Sequence, residues 1–106
     1  MLMRVARLIP AVEYLQMNRQ RMLMMQETAE ALRDIDVYVA PHGGGPTTSA
    51  NNLTGHPGIS VPNGFDSDGM PTGILFVGQL YAEAEMMTVA KAYQEATEWH
   101  LRRPTM

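Results

Sequence analysis

Serine and lysine are the residues of this sequence with the chemistry for acyl transfer, because a serine hydroxyl attacks a carbonyl carbon once a neighbouring base activates it. The serines are Ser49, Ser60 and Ser67, and the single lysine is Lys91. None of the serines lies in a Gly-x-Ser-x-Gly elbow. Lys91 falls in a helical pattern on its solvated side, so the sequence predicts no serine–lysine pair.

A triad is the other nucleophilic arrangement that the residue types allow. Ser49, His42 and Asp36 carry the three side chains of a Ser-His-Asp triad within a short stretch of chain. Closeness in sequence does not supply the hydrogen-bond geometry that a triad needs, because that geometry depends on the fold. The sequence therefore predicts no catalytic residue.

The glycine-rich segment PHGGGPTTS, residues 41–49, raises the question of anion binding, since successive backbone N–H groups can surround a phosphate. A phosphate loop has the spacing GxxxxGK[ST], and here Pro46 and Thr47 stand where that pattern would continue. The segment is more typical of a connection after a strand. A small-ligand module that uses this loop remains an alternative.

Metal and cofactor sites are not predicted. His42, His56 and His100 have neither HxH nor HExxH spacing, and the chain contains no cysteine. His42 and His56 are predicted to be hydrogen-bonding loop residues, and His100 to lie at a helix end. No cofactor is expected.

Composition excludes further partners. The 106 residues include 8 Lys plus Arg against 11 Asp plus Glu, a net charge of −3, so no basic surface for nucleic acid is expected. No run approaches the roughly 20 apolar residues that cross a bilayer, so no membrane partner is expected either. The interrupted apolar start, MLMRVARLIP, does not resemble a signal peptide, and a cytoplasmic location is expected.

A long helix is predicted to begin near Pro10 and to run to about residue 33, because this stretch has no further proline and no glycine. Residues 22–25 (MLMM) make the middle of the helix apolar on every side. A helix with that pattern is normally buried all round. The remaining elements are too few to surround it, which indicates that neighbouring structure is missing.

Three strands are predicted after this helix. Residues 35–40 (IDVYVA) form a short, nearly continuous apolar run that ends before Pro41, which favours a strand buried on both faces. Residues 58–62 and 72–78 are two further strands. The segment between them, with Asp66, Asp68 and Gly69, is typical of a turn, so an antiparallel hairpin is expected.

A second long helix is predicted to follow, with Met86, Val89, Ala90, Tyr93 and Ala96 on one face. The expected fold class is α/β, with a small mixed sheet of about three strands and two long flanking helices in the order α-β-β-β-α. Residues 1–106 are expected to form a single domain.

Several motifs resemble the C-terminal segment of amidase signature hydrolases: DIDVYVAP, NNLTGHPGISVPNGF and GMPTGILFVGQLYAEAEMM, in this order. The resemblance implies a piece of a larger fold in which helices cover a mixed sheet. It also implies hydrolysis of carboxamides by a serine nucleophile, a second serine and a lysine. Those residues lie in the N-terminal and central parts of the family's chains, so no catalytic residue is carried over.

The resemblance also implies a candidate substrate-lining segment. The loop before the Asn-Leu-Thr-Gly motif approaches the substrate pocket in the family, which here corresponds to His42, Thr48, Ser49 and Asn51. The chain is expected to be the scaffold portion of an amidase, inactive alone, with either the missing N-terminal part or further copies of itself as partner. A split amidase completed by a separate catalytic polypeptide is an alternative.

Overall fold

A computed structural model describes residues 2–42 and 45–104, so Gly43 and Gly44 of the predicted glycine-rich loop lie outside the described residues. The secondary structure begins with helices and alternates afterwards. The helices are α1 (Leu2–Val5), α2 (Ala11–Ala31), α3 (Pro46–Thr54) and α4 (Glu83–Thr97), with 3-10 turns at Ala6–Leu8 and Trp99–Leu101. The strands are β1 (Val37–Pro41), β2 (Gly58–Phe65) and β3 (Pro71–Gly78).

The three strands form one sheet in the order β1-β3-β2, and both neighbouring pairs are antiparallel. The α/β class and the two long helices are confirmed. Two details differ: the three strands are antiparallel rather than mixed, and α3 lies between β1 and β2, so the order is not α-β-β-β-α. The predicted hairpin is confirmed as β2 and β3.

The turn of this hairpin depends on Asp66. Its carboxylate accepts hydrogen bonds from the backbone N–H groups of Asp68 and Met70, each at 2.9 Å. Gly69 adopts a φ of +77°, a conformation that glycine reaches without steric cost. The side-chain bonds predicted from the Asp and Gly spacing are therefore present.

Two strands include prolines that the sequence pattern places at strand ends. Pro41 is the last residue of β1, and Pro62 lies within β2, beside a register shift between Pro62 and Gly64. The backbone N–H of His42 donates to the Gly73 carbonyl, and that of Gly78 donates to the Pro57 carbonyl. Because the inward-directed bonds alternate along each strand, positions 41 and 62 face away from β3, where a missing N–H breaks no ladder bond.

Helix α3 occupies a segment that the sequence pattern assigns to a loop. Pro46 lies in its first turn, where a proline lacks only an N–H that would be unpaired anyway. Gly55 follows its last turn with a φ of +89°, and the Gly55 N–H bonds back to the Asn51 carbonyl at 2.8 Å. Proline at the start and glycine at the end are the signals that identify this helix.

The apolar core lies between α4 and one face of the sheet, and contains Val61, Phe76, Met86 and Ala90. The Tyr93 ring packs against Phe76 with 5.5 Å between ring centroids. The helix approaches the sheet at Gly78, where an added Cβ would lie 2.9 Å from the Met86 Cβ. The absent side chain at position 78 therefore permits this close packing.

The face predicted for α4 is partly wrong. Met86 and Ala90 are buried and Tyr93 is half-buried, but Val89 and Ala96 are exposed. At helical spacing these two residues lie at the margin of the stripe that Met86, Ala90 and Tyr93 form. The three-stranded sheet thus buries a narrower apolar stripe of α4 than the sequence pattern predicts.

Helix α2 contains no buried residue among those described. Polar contacts hold it to the rest of the chain. The Arg21 Nε donates to the Leu53 carbonyl of α3 at 2.5 Å, and the Gln79 side-chain amide donates to the carbonyls of Leu32 and Ile35 at 2.5 and 2.7 Å. The uncovered apolar middle agrees with the prediction of missing neighbours.

Strand β1 is likewise less covered than its sequence predicts. It lies at an edge of the sheet, and the Val39 side chain is 55% exposed. Burial on both faces is therefore wrong within this chain, because α4 lies over β2 and β3 and leaves the outer part of β1 open.

The dimensions of the chain also show that much of its surface is uncovered. The radius of gyration is 17.3 Å, whereas about 13 Å is expected for a compact domain of this length. The accessible surface is 8396 Å², compared with about 5,900 Å² expected for a compact monomer of this mass. The chain leaves an excess of roughly 2,500 Å² open to solvent.

A pair of valine truncations tests the location of the core. Val77 is 0% exposed on β3, whereas Val12 on α2 is 59% exposed, and both lose the same two methyl groups on change to alanine. Val77→Ala is expected to lower the free energy of unfolding by about 2 to 3 kcal/mol, and Val12→Ala by less than about 0.5 kcal/mol. Urea denaturation measures both values, and similar losses would contradict the assignment of α2 as an uncovered helix.

Candidate functional site

A small open cleft lies where β1 ends beside the β2–β3 hairpin. Its volume is about 300 Å³, and its polar lining includes His42, Ser60 and Thr72. Gly73 leaves it open: an added Cβ there would lie 3.0 Å from the Ser60 Oγ and 3.3 Å from the His42 Cβ. An imidazole and a hydroxyl thus flank a glycine, an arrangement that can hydrogen-bond a polar group.

The other predicted substrate-lining residues lie on α3, and none of them lines this cleft. Ser49 is exposed and Thr48 is half-buried. Asn51 is only 8% exposed, and its Oδ1 accepts a hydrogen bond from the Tyr38 hydroxyl at 2.9 Å. Of the four predicted residues, only His42 lines this cleft, and the substrate-lining role of the four stays a prediction.

A second buried polar contact, which the sequence does not single out, follows α3. The Thr54 hydroxyl donates to the Ala50 carbonyl at 2.9 Å, and the His56 Nδ1 lies 2.8 Å from the same hydroxyl. A Thr54 hydroxyl that donates to Ala50 is free to accept a hydrogen bond from a protonated His56 Nδ1. The His56 Nε2 is buried with no hydrogen-bond partner among the described residues.

The hydrogen bonds among the described residues include no serine–lysine pair. The amino group of Lys91 pairs with Glu95 one turn further along α4, and both side chains are mostly exposed. Neither a Ser49–His42 nor a His42–Asp36 hydrogen bond is present in residues 2–42 and 45–104 either. The geometry gives no activated nucleophile in this part of the chain.

The geometry provides neither a metal site nor a membrane span in the part of the chain that the structure describes. There, no three His, Cys, Asp or Glu side chains cluster closely enough to hold a metal ion. None of the helices in that part combines the length and apolar character required to cross a bilayer.

A groove with a volume of about 530 Å³ lies between α2 and α3. Its lining is mostly apolar and includes Tyr14, Met17, Met24 and Leu53, and Arg21 closes one side through its bond to α3. No catalytic group lines it. The groove is therefore suited to packing against apolar side chains rather than to chemistry.

The buried tyrosine–asparagine bond can be tested with a matched pair of variants. Tyr38→Phe removes the donor and leaves the Asn51 amide oxygen buried without a partner, which is expected to cost about 1 to 3 kcal/mol in the free energy of unfolding. Tyr14→Phe removes the same hydroxyl from an exposed residue of α2 and is expected to change stability by less than about 0.5 kcal/mol. Urea denaturation distinguishes them. Equal changes in the free energy of unfolding would show that the Tyr38–Asn51 hydrogen bond does not contribute to stability.

Comparison with known proteins gives a consistent group of relatives, although no family model matches the chain. The chain is 37% identical over 110 residues to the glutamyl-tRNA(Gln) amidotransferase A subunit of Thiobacillus denitrificans, which covers 86% of this chain and 23% of the relative. The same protein of a Marinomonas species is 37% identical over 112 residues, covering 88% and 23%. That of a Nostoc species is 33% identical over 112 residues, covering 86% and 23%.

The chain spans less than a quarter of the length of these relatives, while the relatives match most of the chain. A match over 86% of the chain necessarily includes the β2–β3 hairpin, which lies well inside both chain ends. The chain therefore belongs to the amidase signature family and corresponds to its C-terminal segment.

Proposed function

We propose that this chain is the C-terminal scaffold portion of a carboxamide hydrolase, without catalytic residues of its own and inactive when alone. The observation that carries the proposal is helix α2, which has an apolar middle and no buried residue. Burying apolar surface is the main favourable term in folding. A helix of this kind is stable in water only when further structure packs on it, and the rest of an amidase would supply that structure.

The chemistry of the described residues supports inactivity. Amide hydrolysis by this family, as the resemblance implies, needs a serine activated through a second serine and a lysine. Lys91 is committed to an exposed pair with Glu95, and Ser49 and Ser60 lie on different elements. A hydroxyl without a base in hydrogen-bond reach is a weak nucleophile at neutral pH.

We also propose that free copies of the chain associate with one another. The excess exposed surface of roughly 2,500 Å² is larger than the approximately 800 Å² that each partner buries in a standard protein interface. Part of the exposed surface is apolar, including Leu15, Met22 and Leu23 of α2, and exposed apolar patches promote association in water.

A split amidase, in which a separate polypeptide supplies the serines and lysine, is a second candidate. The groove between α2 and α3 favours it, because its apolar lining and its size suit packing against another polypeptide. The ammonia-release experiment described next tests both the scaffold role and the split amidase.

The expected outcome is that the purified chain releases no ammonia from acetamide, benzamide or glutamine above the buffer rate, and that Lys91→Ala changes nothing. Co-expression with the part of the Thiobacillus denitrificans relative that precedes the matched segment is expected to give a complex with measurable ammonia release. A coupled glutamate dehydrogenase assay measures the product.

Two results would contradict the proposal. Ammonia release by the chain alone, abolished by Lys91→Ala, would assign catalysis to this segment. A failure of the two polypeptides to co-purify, with the chain folded by circular dichroism, would remove the scaffold role.

A further inference from the structure

Tyr81 has a backbone conformation that its residue type rarely adopts. Its φ is +63°, in the left-handed region that suits glycine and is strained for a bulky residue. Tyr81 is the third residue of a turn formed by residues 79–82, which a bond from the Ala82 N–H to the Gln79 carbonyl closes at 3.1 Å. Glycine or asparagine usually supplies a positive φ at this turn position. The tyrosine therefore lowers the stability of the chain.

The turn is fixed on both sides, which explains how it keeps this conformation. Before it, the Gln79 side-chain amide donates to the carbonyls of Leu32 and Ile35 at 2.5 and 2.7 Å. After it, the Ala82 carbonyl accepts a hydrogen bond from the Met86 N–H at the start of α4. The path of the backbone at position 81 is thus set by its neighbours in the chain. Strain that a structure imposes in this way is concentrated at functional sites.

The Tyr81 side chain is left in solvent by the described part of the chain. Tyr81 is 94% exposed, compared with 64% for Tyr14 of α2. The preceding residue does pack within the chain, because a Cβ added at Gly55 would lie 3.7 Å from the Leu80 Cδ2. The turn thus directs Leu80 toward the end of α3 and presents Tyr81 to the outside.

We propose that Tyr81 is an interface anchor that inserts into an apolar pocket of the amidase polypeptide that precedes this segment in its relatives. The proposal rests on the scaffold role given above and names a residue through which that role acts. Tyrosine is enriched among the residues that dominate interfaces, because its ring buries a large apolar area while its hydroxyl can hydrogen-bond. A backbone that is already fixed loses less freedom on binding.

Two observations favour the preceding polypeptide as the occupant of this surface. The chain matches 23% of the Thiobacillus denitrificans relative and corresponds to its C-terminal segment, so most of the relative lies before the match. The Gln79 amide also holds the turn against the end of α2, a helix without a buried residue among those described. A polypeptide that covers the end of α2 therefore lies beside Tyr81.

A glycine substitution separates stability from binding. Tyr81→Gly removes the strain and the ring together, so it is expected to raise the melting temperature of the chain alone by about 4 °C. It is also expected to raise the dissociation constant of the complex with the preceding part of the Thiobacillus denitrificans relative at least about thirtyfold. Serial dilution of the co-expressed complex, followed by size-exclusion chromatography, measures that constant. Misfolding cannot explain a variant that is more stable but binds less tightly.

Two control variants accompany this substitution. Glu98 is exposed at the end of α4 and is the other described non-glycine residue with a positive φ, +56°. Glu98→Gly is expected to raise the melting temperature by a similar amount, about 4 °C, and to leave the dissociation constant within about threefold. Tyr81→Phe keeps the ring and is expected to leave that constant within about tenfold.

Chemical modification measures directly whether Tyr81 is covered. In the complex, tetranitromethane is expected to nitrate Tyr81 at least about tenfold more slowly than in the chain unfolded in urea, because the surroundings of an interface anchor exclude water. Mass spectrometry of proteolytic fragments identifies the nitrated residue.

The outcomes distinguish the anchor from the scaffold role. Weaker binding of Tyr81→Gly together with protection of Tyr81 supports the anchor. A complex that holds Tyr81→Gly as tightly as the unmodified chain, or in which Tyr81 is nitrated freely, overturns the anchor alone. Absence of any complex with the folded, unmodified chain overturns both. Unchanged binding combined with loss of self-association of Tyr81→Gly in sedimentation velocity would assign Tyr81 to a contact between copies, against the proposal.

Discussion

Strand β3 is the element on which the rest of the described structure depends. It lies between β1 and β2 and provides the ladder bonds of both. Its alternate side chains serve opposite faces: Phe76 contributes to the core under α4, whereas Val77 is fully buried and lies beside Tyr38 in the register of β1. Because each neighbour pairs with β3 and not with the other, loss of this strand would leave no sheet for the helices to pack on.

Helix α2 shows the opposite kind of attachment. Its contacts to other elements include directional hydrogen bonds at its middle and just beyond its end, from Arg21 and from Gln79, rather than a buried apolar stripe. The Arg21 bond satisfies a carbonyl in the last turn of α3, where intrahelical donors are missing, and the Gln79 bonds add to the turn that follows α2. Such bonds fix where the helix lies but contribute much less than burial of a large apolar side chain. The position of α2 is thus specified within this segment, whereas its apolar residues contribute no buried surface to it.

Much of the fold could be predicted from the sequence, because local signals and tertiary packing agree there. Pro10 before a long glycine-free stretch predicts α2, and Asp66 with Gly69 predicts the hairpin turn. Prediction fails where one residue type is compatible with two kinds of secondary structure. Pro41 is typical of the end of a strand, although an outward-facing edge position tolerates proline, and Pro46 is typical of a loop, although it begins a helix. For Pro41 the outcome depends on pairing with β3, which is distant in sequence, and for Pro46 on whether the residues after it form a helix.

The candidate site was less predictable, since the roles of polar residues depend on which of them the fold buries. Asn51, Asn52 and His56 lie in one polar stretch that contains glycine. Asn52 is exposed, whereas Asn51 and His56 are buried and hydrogen-bonded within the segment. An independent domain places its large apolar side chains inside and most of its polar ones outside. Here a polar set is enclosed, while the methionine and leucine side chains at positions 22 and 23 are open to solvent. This arrangement agrees with a chain that spans less than a quarter of its relatives, and the enclosed Tyr38–Asn51 bond holds α3 against β1.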